Sequence, residues 1–352
     1  MKALVLSGGS GTRLRPFSYS MPKQLIPIAN KPVLEYVLES IRDAGITDIG
    51  IVVGDWASAI DEAIGDGSRL GVRVTYIRQD EPRGLGHCVA IARDFLGDDD
   101  FVMYLGDNFL PDGILRSTEE FTARRPAAQV LVYKVADPRQ FGIVELDQHG
   151  NVRGLVEKPE QPVSDLAVVG VYFFTSAIHD AVDAIPPSAR GELEITDAIQ
   201  WLLTNGAEVR AIEYQGYWKD TGRTEDVLEC NRHQLGALRS ANLGDVDDAS
   251  ELVGQVVIGP GARVLRSRIE GPVVVGANTV VEASNIGPYT AIGENCLVRT
   301  TNLGDSIVLD GASISDVPGL RGSLIGRSAT IRSRATGRRM VVGDDAWIEL
   351  AA

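Results

Sequence analysis

Residues 7–14 read Ser-Gly-Gly-Ser-Gly-Thr-Arg-Leu, and a lysine follows at position 23. Gly8, Gly9 and Gly11 let backbone N–H groups converge on an anion with no side chain in the way. The Arg13 guanidinium and the Lys23 ammonium beside such a nest suit a polyphosphate. The loop is not a dinucleotide fingerprint, because the position that should hold its last glycine, counted from Gly9, is Leu14. It is not a Walker loop either, since Gly-Lys-Ser/Thr is missing. A tight turn with no ligand is the plainer alternative, and the two cations weigh against it.

Two aspartates far apart in sequence share a setting. Asp107 lies between Gly106 and Asn108, and Asp220 lies in Trp218-Lys219-Asp220-Thr221-Gly222. Alone, each reads as a turn or cap residue. Together with a phosphate loop they can hold one Mg²⁺ and leave positions for phosphate oxygens and water.

These residues need a frame. Residues 2–6, 48–53, 72–77, 101–105, 129–135 and 168–174 have strand patterns, and 32–44, 56–64, 86–95 and 225–238 have helical ones. Such alternation predicts an α/β fold, a Rossmann-like mixed, mainly parallel sheet with helices on both faces. Ligands of such sheets bind at the carboxyl ends of strands, where the glycine loop and Asp107 both fall.

The pattern changes after residue 239. Residues 240–252 are polar and read as a linker. From 253 to 352 aliphatic residues recur about every sixth position, often followed by glycine: Ile258, Val264, Val275, Val281, Ile286, Ile292 and Val298, then Ile325 and Ile331 after a gap. That period predicts a left-handed parallel β-helix, whose flat faces each send one aliphatic side chain inward. The expected domains are therefore 1–239, the linker 240–252, and the β-helix 253–352.

Composition bounds the partners. The chain has 352 residues, 44% apolar and 23% charged, with a net charge of -14. So acidic a chain repels nucleic-acid backbone and anionic membrane, but a local basic cluster can still hold a small anion. Cys88, Cys230 and Cys296 are odd in number and lack metal spacing, which predicts a reduced, cytoplasmic setting. The apolar run before the first glycines is too short for a signal peptide or a membrane span.

Several motifs occur together in one order. Ser7–Pro16 (SGGSGTRLRP) precedes PKQLIPIANKPVLEY, then Leu105-Gly106-Asp107-Asn108, Gly142-Ile143-Val144-Glu145, Glu157-Lys158-Pro159, Gly191–Asp197 (GELEITD) and Trp218–Gly222. This set resembles the nucleoside-diphosphate-sugar pyrophosphorylases, and among them most of all the glucose-1-phosphate thymidylyltransferases. The tail resembles that of long-form members.

The resemblance implies attack by a sugar-1-phosphate oxygen on the α-phosphorus of a nucleoside triphosphate, with pyrophosphate leaving. The implied substrates are dTTP and glucose 1-phosphate, with Mg²⁺ as cofactor. It implies catalytic roles for Arg13, Lys23 and Asp107, and metal ligation by Asp107 and Asp220. Nucleotide contacts would come from Leu6, Gly8, Gly9, Gly11, Thr12, Arg13, Gln79, Pro82, Gly84 and Asp107. Sugar-phosphate contacts would come from Gly142, Glu157, Lys158, Val169 and Tyr172, with Trp218 as a wall. A glutamine amide donates and accepts at once, so Gln79 suits thymine or uracil. Short-form thymidylyltransferases usually continue this segment with Ala-Gln, where this chain has Gly86-His87. A UTP-using or broad-specificity enzyme therefore stays open, and His87 reads as a plain helix-start residue. The acids of residues 192–197 read as supports or caps of the following helix. A regulatory homologue without activity is the reading from another class, and the intact charges argue against it. No histidine follows His233, so the tail is expected to support assembly of a homo-oligomer or regulation rather than acyl transfer.

Overall fold

The computed structural model describes residues 1–9 and 11–333, which fall into two compact units. The first joins Met1–Ser10 to Val33–Asp220, and the second joins Gly11–Pro32 to Thr221–Ala352. The stretch 1–239, expected as one domain, is thus shared between them. The part of the expected β-helix beyond residue 333 lies outside the described residues.

In chain order the strands before the tail are β1 (Lys2–Ser7), β2 (Pro27–Ile28), β3 (Lys31–Pro32), β4 (Asp48–Val53), β5 (Arg73–Arg78), β6 (Phe101–Leu105) and β7 (Asn108–Phe109). Then come β8 (Ala128–Lys134), β9 (Gly142–Leu146), β10 (Val152–Glu157), β11 (Leu166–Phe174), β12 (Val209–Glu213) and β13 (Lys219–Asp220). The helices are α1 (Val33–Asp43), α2 (Ala57–Ile64), α3 (Leu85–Ile91), α4 (Arg93–Leu96), α5 (Leu115–Arg124), α6 (Ala177–Ala184), α7 (Ile195–Thr204) and α8 (Thr224–Gly236).

The first unit is a mixed sheet in the order β10-β9-β11-β6-β1-β4-β5, with β8 beside β11 and β12 beside β8. β1 runs parallel to β4 and β6, and β4 parallel to β5. β11 is antiparallel to β6 and to β8. Ala3, Leu4 and Val5 have no exposed surface, as a parallel strand covered on both faces requires. The single helix expected over 86–95 is instead α3 and α4. Ala92 between them leaves helical dihedrals, at φ -89° and ψ 2°.

The tail is a left-handed parallel β-helix built of three sheets. Val256 pairs with Val273 and Val273 with Thr290 on one face. Val264, Val281 and Val298 stack on the second, and Ile269, Ile286 and Leu303 on the third. Inward aliphatics recur in steps of six, five and six, from Ile258 through Val264 and Ile269 to Val275. The corners turn through left-handed residues, such as Arg266, Ala283 and Thr300 at φ 47°, 47° and 49°. A hydroxyl column runs inside one corner: Ser267 Oγ accepts from Ser284 N, and Ser284 Oγ accepts from Thr301 N, both at 3.1 Å. Each such bond contributes about 1 kcal/mol net.

Two expectations change here. Residues 240–252 are not a linker. Ala241–Asn242, Asp245–Val246 and Glu251–Val253 form the first coil and pair with the strands of the next. The stretch reads as polar because the inward positions of this end coil hold only Val246 and Leu252. The gap between Val298 and Ile325 is not a break either, since Leu303, Val308 and Ile314 continue the column. One coil is a residue short on two of its faces: Ile292 pairs with Val308 and Val298 with Ile314, steps of 16, while Leu303 pairs with Leu320 on the third, a step of 17. Among the described residues no helix is long and apolar enough to cross a membrane.

Candidate active site

β1, β4 and β5 end side by side at Ser7, Val53 and Arg78. Gly8, Gly54 and Gln79 come next on each. A Cβ added to Gly8 would lie 3.1 Å from Gln79 Oε1 and 3.8 Å from Gly54 N. Glycine at position 8 thus leaves the room in which the Gln79 amide lies against the loop. Leu6 is buried, and its carbonyl accepts from Gly106 N at 2.9 Å, which ties β1 to the turn bearing Asp107. Gly9 is exposed.

The segment after Gln79 is laced to residues 192–193. Leu193 N donates to Arg83 O and Gly86 N donates to Leu193 O, each at 2.8 Å. Gly84 takes φ 95°, and a Cβ there would lie 2.5 Å from the Leu193 carbonyl oxygen; at Gly86 the distance would be 2.9 Å. These glycines are therefore dictated by backbone contact, and Gly86 is explained without reference to the base. Pro82 is exposed. His87 has more than the plain role expected of it: Gln79 Nε2 lies 3.0 Å from its Nδ1. An amide nitrogen only donates, so Nδ1 accepts and the ring is neutral there. Burial pulls the imidazole below its ordinary pKa; Arg83 adds to this and Glu81 opposes it.

Asp107 is buried in the turn between β6 and β7. β13 pairs with β7 so that Asp220 lies across from Asn108, the residue after Asp107. The two expected metal ligands thus come from adjacent backbone positions. Asn108 Nδ2 donates to Asp107 Oδ1 at 3.1 Å, and Trp218 Nε1 donates to Asn108 Oδ1 at 2.7 Å. Trp218, expected as a wall of the sugar site, is engaged with this turn, its ring against Tyr133 and Phe141. Two carboxylates on one turn and its partner strand fit Mg²⁺, which takes one or two carboxylates and fills its octahedron with phosphate and water. The buried Trp–Asn–Asp relay is the kind of outer support that orients a ligand carboxylate.

A second polar cluster lies where β9 and β10 pair. Gly142 is opposite Glu157, and a Cβ at Gly142 would lie 3.2 Å from Glu157 Oε2 and 2.9 Å from Thr196 Cγ2. Lys158 takes a left-handed φ of 40°, rare for lysine, and its Nζ lies 3.3 Å from Glu157 Oε1. Arg190, unremarked in the sequence, joins them: its Nη2 lies 3.5 Å from Glu157 Oε1 and 2.8 Å from Glu194 Oε1. The available signal was its i,i+4 spacing to Glu194. Of the two readings of residues 192–197, Glu194 follows that of a support: it stands at the N-cap of α7 with no side-chain cap bond, and its buried side chain accepts from Ser188 and Arg190. Tyr172 is buried, and burial followed by the Glu157 charge pushes its phenol far above the usual range. Val169 is wholly buried. It sits in the β11 irregularity with Gly170, where a Cβ would lie 3.0 Å from Asn108 Nδ2.

The second unit carries the other expected residues. Gly11 takes φ 61° and opens a single turn, Thr12–Leu14, that leaves Thr12 and Arg13 exposed. Lys23 begins another turn, Lys23–Leu25, and is half-buried. A Cβ on Gly11 would lie 3.4 Å from Lys23 Cβ, so glycine lets these two turns touch. A separate cavity of about 820 Å³ lined by Arg93, Arg125 and His179 opens at the far ends of β6 and β8. Its arginines are paired with Asp183 and Asp100, and none of the site residues lines it.

Comparison with known proteins covers the whole chain. Residues 2–236 match the nucleotidyl transferase family model. A glucose-1-phosphate thymidylyltransferase of Streptomyces griseus is 53% identical, over 100% of both chains. One from Streptomyces antibioticus is 52% identical, over 99% of both. A solved Bacillus anthracis structure described as a glucose-1-phosphate thymidylyltransferase superposes with a TM-score of 0.63 at 33% identity, covering 69% of this chain and 98% of that one.

Proposed function

Because the chain belongs to the nucleotidyl transferase family, we propose that it transfers the thymidylyl group of dTTP to α-D-glucose 1-phosphate, giving dTDP-glucose and pyrophosphate. Relatives that match it end to end carry the corresponding name. The observation that most supports this reading is the pairing that sets Asp220 across from Asn108 and so beside Asp107, at the end of the strand next to the phosphate loop.

The reaction joins two anions, so charge neutralisation and alignment carry it. Gln79, braced by His87, reads the carbonyl and N–H edge of the pyrimidine. The backbone at Gly8, Gly9 and Gly11 and the Lys23 ammonium hold the triphosphate, and Arg13 stabilises charge that develops toward pyrophosphate. Glu157 accepts from sugar hydroxyls beside Gly142. Lys158 and Arg190 bring the sugar phosphate into line. Mg²⁺ held by Asp107 and Asp220 would neutralise phosphate oxygens at the reacting phosphorus. The three cysteines are buried thiols outside any disulfide, which supports work in the reducing cytoplasm, and we propose a homo-oligomeric assembly there.

A matrix of nucleotides against hexose 1-phosphates with Mg²⁺, read as pyrophosphate release, tests the assignment. Highest kcat/KM with dTTP and glucose 1-phosphate is expected. Equal rates with UTP would make the enzyme broad in specificity. No release from any pair would make the chain an inactive homologue and end the proposal.

A further inference from the structure

The grouping of Gly11–Pro32 with the β-helix has a specific physical basis. β2 and β3 form a hairpin whose two turn residues, Ala29 and Asn30, both take left-handed φ, 48° and 63°. That turn favours Asn-Gly, and an alanine at its first position is strained. Three contacts hold it. Ala29 N donates to Asn231 Oδ1 at 2.9 Å. Asn231 Nδ2 donates to Tyr289 O at 3.2 Å. Asn30 Nδ2 donates to Ile292 O at 2.7 Å. Asn231 lies on α8 and has no exposed surface, so one buried amide bridges the hairpin and the β-helix.

α8 is itself fixed to the coils. Arg232 makes a bidentate pair with Asp305 at 2.6 and 2.8 Å. Val274 and Ala291 alternate with the inward Val273, Val275 and Ile292, yet both are buried. At the other end of the strap, Phe17 reaches Gly326, where a Cβ would lie 3.6 Å from its ring. The strap is thus anchored at Phe17 and at Ala29–Asn30. Lys23 lies on the stretch these anchors bound, and Arg13 lies just before it.

We propose that Asn231 is a positioning residue for nucleotide binding, and that the β-helix acts in the reaction as the bed on which the Arg13–Lys23 strap is held. The proposal rests on the nucleotidyl transfer reading above. It differs from a role in assembly alone, because it ties the tail to the phosphate-binding cations of the same chain. Loss of the amide frees a strained turn, and misplacing a charged group by about 1 Å can cost two orders of magnitude in rate.

The test uses the full-length protein. Asn231→Ala should lower kcat/KM for dTTP roughly ten- to a hundredfold while KM for glucose 1-phosphate stays within about twofold. Asn231→Asp keeps the acceptor for Ala29 N and should recover part of that loss. Amide hydrogen exchange gives a readout without turnover: Asn231→Ala and Asn30→Ala should speed exchange in residues 11–32 and leave β1 and β4–β6 unchanged. Unchanged dTTP kinetics in folded Asn231→Ala and Asn30→Ala, or unchanged exchange across 11–32, overturns the proposal. If the wild type turns over no nucleotide, the functional reading fails, and the exchange result still decides whether the β-helix holds the strap.

Discussion

The Gln79 amide nitrogen sits 3.0 Å from Nδ1 of His87, so the residue proposed to read the base is oriented by an imidazole that must stay neutral. Burial keeps the ring below the ordinary histidine pKa. Its folded value is depressed, so the stability it brings is full above the ordinary value and is lost as pH falls through the folded one. Over the same window protonation removes the acceptor for Gln79. KM for dTTP should be flat above about pH 6.5 and rise below it, more steeply than KM for glucose 1-phosphate. His87→Asn, which keeps an acceptor that does not titrate, should flatten that limb. An unchanged low-pH limb in the variant would show that His87 does not orient Gln79.

Asp107→Asn should lower turnover at least about a hundredfold and move the Mg²⁺ requirement to higher concentration. The melting temperature should shift little, since the amide fills the same space. Mg²⁺ titrations of both proteins check this, and an unaltered Mg²⁺ midpoint would falsify the metal role.

Trp218→Phe keeps the ring packing against Tyr133 and Phe141 but deletes the donor to Asn108. Mg²⁺ should bind about tenfold more weakly. KM for the sugar phosphate should be nearly unchanged, whereas a wall of the sugar site would show the reverse split.

Gly8→Ala and Gly84→Ala should separate function from folding. The first presses only on the Gln79 side chain and should raise KM for dTTP with a small change in stability. The second meets the Leu193 backbone at a left-handed φ and should cost about 1–3 kcal/mol of stability. Thermal melts and steady-state kinetics of the pair distinguish the two effects.

Arg13→Ala should lower kcat by about two orders of magnitude if the guanidinium acts on charge present only in the transition state. A rise in KM alone would instead assign it to ground-state binding of the triphosphate.

Local pattern carried much of this molecule. The strand over 48–53 was legible because Ile49, Ile51, Val52 and Val53 form an apolar run, and the glycine loop because its residue types are unusual together. What was hidden depends on contacts between distant positions. Arg190 gained meaning only when β10 set Glu157 beside it. Trp218 gained a partner in Asn108, unseen in the sequence, because β13 returns to β7. His87 looked plain because nothing local shows that its ring meets Gln79 across the start of α3. The first coil of the β-helix was missed because an end coil has only one neighbour to stack on and few aliphatics to mark it.

The short coil between Val298 and Ile314 breaks an ambiguity that a perfect repeat would carry. A uniform 17-residue solenoid is nearly invariant to sliding by one coil, since hydroxyl meets hydroxyl and valine meets valine in either alignment. One missing residue acts like a filed tooth on a gear. A slipped alignment that spans it would turn inward side chains out until the 17-residue step from Leu303 to Leu320 restores the register, and that local mismatch favours one setting.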